Sequence, residues 1–268
     1  MRLRNPGTID QATEGVRQLE GHLSRARGTN PVLGAEDGFL TWIDDYARPQ
    51  FGNWFAPTED VFAELDISHN RINSAPDSTR RLNAMLSREI RDWEQRLTKI
   101  RDELAQQKII ATRPGAPIVL DTSALMEGSP VGEFNWHSLD PTLNDTAIRL
   151  VVPILVVEEL DELLHDRNAD RRQRARAVTR SLLELHKDKP TQPAWLPTPV
   201  NATVEVFLDG DWHHRRPNND AEIIDQALAF GELVGVKILL AACDLRMMYR
   251  AAAVGLPSVQ VPRAGGQQ

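Results

Sequence analysis

Four acids stand where a chain could gather charge for chemistry. Asp121 directly follows the apolar run "PIVL", Glu159 follows "PILVVE" and opens the next helix, and Asp244 follows "ILLAAC". Asp220 opens a helical stretch in "NNDAEIID". A carboxylate at the mouth of an apolar core is costly unless something compensates it. Singly, each acid has a structural explanation: Asp220 and Asp244 as helix caps, Glu159 as a partner of a helix dipole. Taken together, converging carboxylates repel one another, and a hard divalent cation relieves that repulsion. Mg²⁺ and Mn²⁺ take carboxylate oxygens, completed by water and substrate phosphate. The pattern therefore predicts a metal centre on Asp121, Glu159, Asp220 and Asp244. Asp225 lies five residues past Asp220, offset by roughly 140° around a helix, and is a weaker candidate.

Two basic stretches flank these acids. "HDRNADRRQRARAVTR" carries six arginines, of which Arg172, Arg176 and Arg180 recur every four residues along one helix face. Ala175, Val178, Leu182 and Leu185 form another face that can bury. The guanidinium fork suits phosphate recognition; a solvated face with salt bridges is the competing reading. "DWHHRRPNND" adds His213, His214, Arg215 and Arg216 just before Asp220. Three readings stay open for it: a plain loop, a substrate contact, or a zinc-ligand pair that no further His/Cys cluster supports.

Such acids need strands to hold them. "APIVLD", "LVVPILVV" and "GVKILLAAC" are continuous apolar runs of the kind buried on both faces of a sheet. Helical stretches separate them: "EELDELLHD", "RRQRARAVTRSLLELHK" and "DAEIIDQALAFGELV". The alternation predicts an α/β domain with a mainly parallel sheet, whose working residues sit beyond the carboxyl ends of the strands.

Residues 1–112 read differently. Leu86, Ile90, Trp93, Leu97, Ile100 and Leu104 recur at steps of four and three, the stripe of an amphipathic helix capped at Asp77 or Ser78. It packs either on its own domain or on a second copy of the chain. Upstream, Trp42, Tyr46, Phe51, Trp54 and Phe55 crowd into fourteen residues. They read as a small core, with a partner surface or a base-stacking platform as alternatives. "ATRPGAP" is the expected linker, giving a helical domain over 1–112, an α/β domain over 113–263 and a disordered tail over 264–268.

With 268 residues the chain is long enough for two domains. Its net charge of −7 argues against passive coating of nucleic acid, which needs a basic surface, but is compatible with an acidic metal-loaded nuclease site. Cys243 is the single cysteine, so neither a disulfide framework nor a four-cysteine zinc site can form. No run is long and apolar enough to span a membrane, and "MRLRNPGTIDQATEG" has no signal-peptide core; the expectation is a cytoplasmic protein.

At this point the sequence resembles the PIN-domain nucleases over roughly residues 116–262. "VLDTSAL" supplies Asp121 and Ser123, "VVPILVVEELDELL" supplies Glu159, "RPNNDAEIIDQAL" supplies Asp220, and "KILLAACDLRMMYRAAAVGLPSV" supplies Asp244. The resemblance implies a PIN-like parallel sheet flanked by helices and a Mg²⁺- or Mn²⁺-dependent endoribonuclease. Its in-line hydrolysis of RNA would leave a 5′-phosphate and a 3′-hydroxyl, with Ser123 positioning a ligand or phosphate. An inhibitory protein partner is a further implication, since many such nucleases are toxins silenced by one. One position departs from the pattern: the hydroxyl usual two residues before the last Asp is replaced by Ala242. That change favours an alternative, a catalytically impaired module that binds RNA or a protein. A haloacid-dehalogenase-type phosphotransferase fits less well, because it wants an acid where Ser123 stands.

Overall fold

The computed structural model describes residues 3, 9–28, 34–55, 60–75, 79–144, 146–189, 192–197, 201–208, 213 and 215–265. The expected cap at Asp77 or Ser78, His214 and the tail after Gly265 lie outside them. The chain divides into two compact units, one of Met1–Thr112 with Glu232–Gly235 and one of Arg113–Gly231 with Val236–Gln268. Among the described residues no helix is long and apolar enough to cross a membrane.

The first unit is helical: α1 (Ile9–Gly28), α2 (Ala35–Thr41), α3 (Arg48–Trp54), α4 (Asp60–Asn73) and α5 (Thr79–Ala111). A π-helical segment, Trp42–Ala47, joins α2 to α3. The α5 stripe is buried at all six expected positions, facing Ala12, Val16, Leu19 and Leu23 of the α1 core face. Of the aromatic cluster, Trp42, Phe51 and Phe55 are buried in a core with Phe39 and Trp93, whereas Tyr46 and Trp54 are half-buried. Both buried indoles are satisfied, Trp42 Nε1 donating to Leu19 O at 3.1 Å and Trp93 Nε1 to Ser68 Oγ at 2.9 Å. Gly15 lets the Trp54 ring pack against α1, since a Cβ there would fall 1.7 Å from that ring and force it to move.

The second unit is α/β. Its elements are β1 (Ala116–Leu120), α6 (Thr122–Glu127), β2 (Ile148–Pro153), α7 (Ile154–Leu163), α8 (Ala169–Leu185), β3 (Ala194–Trp195), β4 (Ala202–Phe207), α9 (Asn219–Val234), β5 (Leu239–Ala242), α10 (Leu245–Ala253) and β6 (Ser258–Gln260). The sheet runs β3-β4-β2-β1-β5-β6, with only β3 antiparallel to its neighbour. Strand order reverses at β1: the chain moves out through β2 and β4 on one side, then returns to β5 on the other. The crevice beyond the β1 and β5 carboxyl ends is the switch point where such sheets bind ligands.

Two sequence expectations are corrected. "LVVPILVV" is not one strand: β2 ends at Pro153, and Ile154–Val157 form the first turn of α7. The apolar run continues because Leu155 and Val156 of that turn are also buried, and periodicity cannot separate a buried strand from a buried helix start. Glu159 is consequently the sixth residue of α7 rather than its opening residue. Just before the expected tail, Arg263 pairs with Glu127 at 2.6 Å, and Ala264 N donates to Glu127 O at 2.8 Å.

Candidate active site

An open cleft of about 930 Å³ lies at the switch point, lined among others by Asp121, Glu159, Asp220 and Asp244. Each acid arrives on a different element. Asp121 ends β1, its N–H still donating to Ala241 O of β5, and its carboxylate caps α6 through Ser123 N at 3.2 Å. Asp244 likewise caps α10 through Arg246 N at 2.9 Å. Asp220 lies in the first turn of α9.

Ser123 joins the two strand ends. Its hydroxyl donates to Asp121 Oδ2 at 2.5 Å and accepts the N–H groups of Cys243 at 2.9 Å and Asp244 at 3.3 Å. Asp121 is only 6% exposed. Burial raises its carboxyl above the usual range and the Glu159 charge adds to this, while the Ser123 bonds pull the other way. Burial also pushes the Cys243 thiol up to about 11, with Glu127 adding, Arg263 opposing and Asp121 adding.

Two residues that the sequence reading did not single out fix Glu159. Thr122 Oγ1 donates to Glu159 Oε2, and Asn219 Nδ2 donates to Oε1 at 2.7 Å. Their signal was adjacency, each standing next to a predicted acid. Arg246 was missed too, although it stands two residues after Asp244. Its Nε lies 3.2 Å from Asp220 Oδ2 and 3.6 Å from Asp244 Oδ2. Arg250 approaches the same Asp220 oxygen at 3.3 Å. Neither guanidinium is aligned for a hydrogen bond, so this buried oxygen has charged neighbours and no donor aimed at it.

Asp121 feels the Glu159 charge, Asp220 and Asp244 share Arg246, and Ser123 links Asp121 to the backbone of Asp244. Among the described residues no three His, Cys, Asp or Glu side chains gather tightly enough to hold a metal ion. The donor set nevertheless suits a hard cation, being all carboxylate oxygen, with one buried oxygen free of hydrogen bonds.

The other predicted residues are placed as follows. Arg171 and Arg174 of α8 line the cleft; Arg172, Arg176 and Arg180 do not. Arg172 Nη1 instead donates to Asp166 O at 2.7 Å. Arg215 makes a two-pronged contact with Glu158 at 2.5 and 2.9 Å, and this bond holds the Glu158 carboxyl below its usual range. Arg216 pairs with Asp225 at 3.3 Å, and its N–H donates to the buried Glu222 at 2.6 Å. His213 Nε2 meets Glu222 at 2.5 Å. His213 and Arg216 are thus tied to α9 and Arg215 to α7, and Arg215, Arg216 and Asp225 lie outside the cleft lining.

No curated protein matches the chain. One similar solved structure is described as "a domain of a functionally unknown protein" from Methanocaldococcus jannaschii DSM 2661. It is 16% identical with a TM-score of 0.35, over 57% of this chain and 96% of that one. A profile described as a PIN domain matches residues 118–261, more than half of the chain, and the protein belongs to the PIN-domain family.

Proposed function

We propose that this protein is a divalent-metal-dependent endoribonuclease. PIN domains are generally metal-dependent nucleases that act on nucleic acid. The observation that carries the reading here is the delivery of Asp121, Glu159, Asp220 and Asp244 from four elements to one cleft at the switch point of the sheet. These four would hold Mg²⁺ or Mn²⁺, which supplies an activated water and charge stabilisation at the phosphate.

The chain's own groups have separate tasks. Ser123 fixes the Asp121 carboxylate and ties it to the Asp244 end of the site, while Thr122 and Asn219 orient Glu159. Arg171, Arg174 and Arg263 present positive charge to a strand lying in the cleft. RNA as the substrate rests on the family resemblance. A module that binds RNA without cutting it is the second reading, favoured by Ala242.

Cleavage of labelled single-stranded and structured RNA with Mg²⁺, with Mn²⁺ and with EDTA decides between them, run beside Asp121→Asn/Asp244→Asn. Metal-dependent cutting that disappears in the double variant supports the nuclease. RNA binding with neither cutting nor metal uptake supports the module.

A further inference from the structure

Arg246 occupies an unusual position for a cleft cation. It stands in the first turn of α10, its guanidinium shared between Asp220 and Asp244, yet its side chain is 65% exposed. Arg250 also faces Asp220 but is anchored, donating to Asn218 Oδ1 at 2.6 Å, and it does not line the cleft. Arg246 does line it, with Arg171, Arg174 and Arg263. The attraction of its side chain to Asp220 is electrostatic only, because Asp220 Oδ2 accepts no hydrogen bond. Arg246 is therefore held by charge alone and has room to leave.

The oxygens it neutralises are those on which the metal-dependent reading relies. A divalent cation and a guanidinium on the same two carboxylates repel each other. Once displaced, a long exposed side chain with a planar fork finds its best remaining partner in a phosphate. We propose that Arg246 is a phosphate-binding residue held in reserve. In the free protein it balances Asp220 and Asp244, and cation binding there turns it onto a phosphate of the nucleic acid in the cleft. The inference rests on the nuclease reading above. It makes cation and nucleic acid bind with positive, reciprocal coupling.

The test is calorimetry of Mn²⁺ with the full chain, for the wild type, R246Q, R246K and D244N. Beside it runs binding of a cleavage-resistant single-stranded phosphorothioate oligoribonucleotide with and without Mn²⁺. R246Q is expected to bind Mn²⁺ about five- to ten-fold more tightly, a modest gain because the charge removed is exposed. Mn²⁺ is expected to tighten oligonucleotide binding to the wild type, and R246Q is expected to lose that gain. R246K keeps the charge without the fork; it should bind Mn²⁺ as the wild type does, with reduced coupling. Unchanged or weaker Mn²⁺ binding by R246Q, or full coupling in either variant, overturns the proposal. If the wild type and D244N take up Mn²⁺ alike, or neither does, the nuclease reading fails first and Arg246's role falls with it.

Discussion

Ser123 Oγ lies 2.5 Å from Asp121 Oδ2, and the same hydroxyl accepts two backbone N–H groups at the end of β5. Its one donor and both acceptor positions are thereby used. The side chain at position 242, where the family pattern has a hydroxyl, is fully buried in β5, and Ser123 satisfies the amides that follow it. Ser123→Ala should lower stability by about 1–3 kcal/mol, because it strips bonds from a carboxylate and two amides at once. Urea denaturation in EDTA reads this, and an unchanged midpoint would show that the bridge contributes nothing.

Asp121→Asn should separate activity from stability. Burial raises the Asp121 carboxyl above its ordinary 3.8, so the folded state holds the proton more tightly than the unfolded chain. The stability this contributes is complete below about pH 3.8 and is lost as pH rises through the folded value. Without divalent cation, Asp121→Asn is therefore expected to melt no lower than the wild type at pH 7, its advantage shrinking toward pH 4. Metal-dependent cleavage should fall by at least about 100-fold, the upper range for losing even an indirect support of a metal site. A large fall in melting temperature at pH 7, with cleavage per folded molecule intact, would contradict the assignment.

What the sequence revealed depended on whether burial shows in residue type. β1 and β5 were legible because both faces are covered, so apolar residues run without interruption up to Asp121 and Asp244. β4 was not: "ATVEVF" carries Glu205, whose burial depends on partners distant in sequence. The β2–α7 junction was misplaced because Pro153 joins a buried strand to a buried helical turn. Asp121 and Asp244 each follow a recognisable strand and Asp220 opens a recognisable helix, whereas Glu159 lies inside α7 rather than at its start. Thr122, Asn219 and Arg246 act through contacts that form only when α6, α7, α9 and α10 converge, which spacing along the chain does not encode. The choice of Arg172, Arg176 and Arg180 followed a real helix face, but the face toward the cleft is that of Arg171 and Arg174.

That difference yields a third prediction. Arg171→Ala/Arg174→Ala should weaken binding of a single-stranded oligoribonucleotide. It should also flatten the dependence of log affinity on log salt, by roughly 0.7 for each phosphate no longer neutralised. Arg176→Ala/Arg180→Ala, on exposed positions outside the cleft lining, should leave that slope unchanged. Equal slopes for both double variants would place the nucleic acid elsewhere.

The last prediction concerns the ion cluster under the sheet. Arg149 of β2 and Glu205 of β4 are diagonal neighbours on adjacent strands, since Arg149 pairs with Thr203 and Val151 with Glu205. Arg149 Nε and Arg113 Nη1 both donate to Glu205, and the Arg149 guanidinium stacks 4.8 Å above the Phe230 ring. Arg149 and Glu205 are each 2% exposed, and Arg149 Nη2 has no hydrogen-bond partner. Glu205→Gln removes the charge that, among the described residues, is paired with Arg149, and should cost about 3–5 kcal/mol. Arg149→Met/Glu205→Leu removes both buried charges and should come out far less destabilising than the single change, because desolvation offsets much of the attraction within such a pair. Burial also shields the pair from salt, so the loss in Glu205→Gln should be the same at low and high ionic strength. Denaturation of the single and double variants across a salt series measures all three expectations, and a double variant as unstable as Glu205→Gln would mean that the pair itself stabilises the sheet.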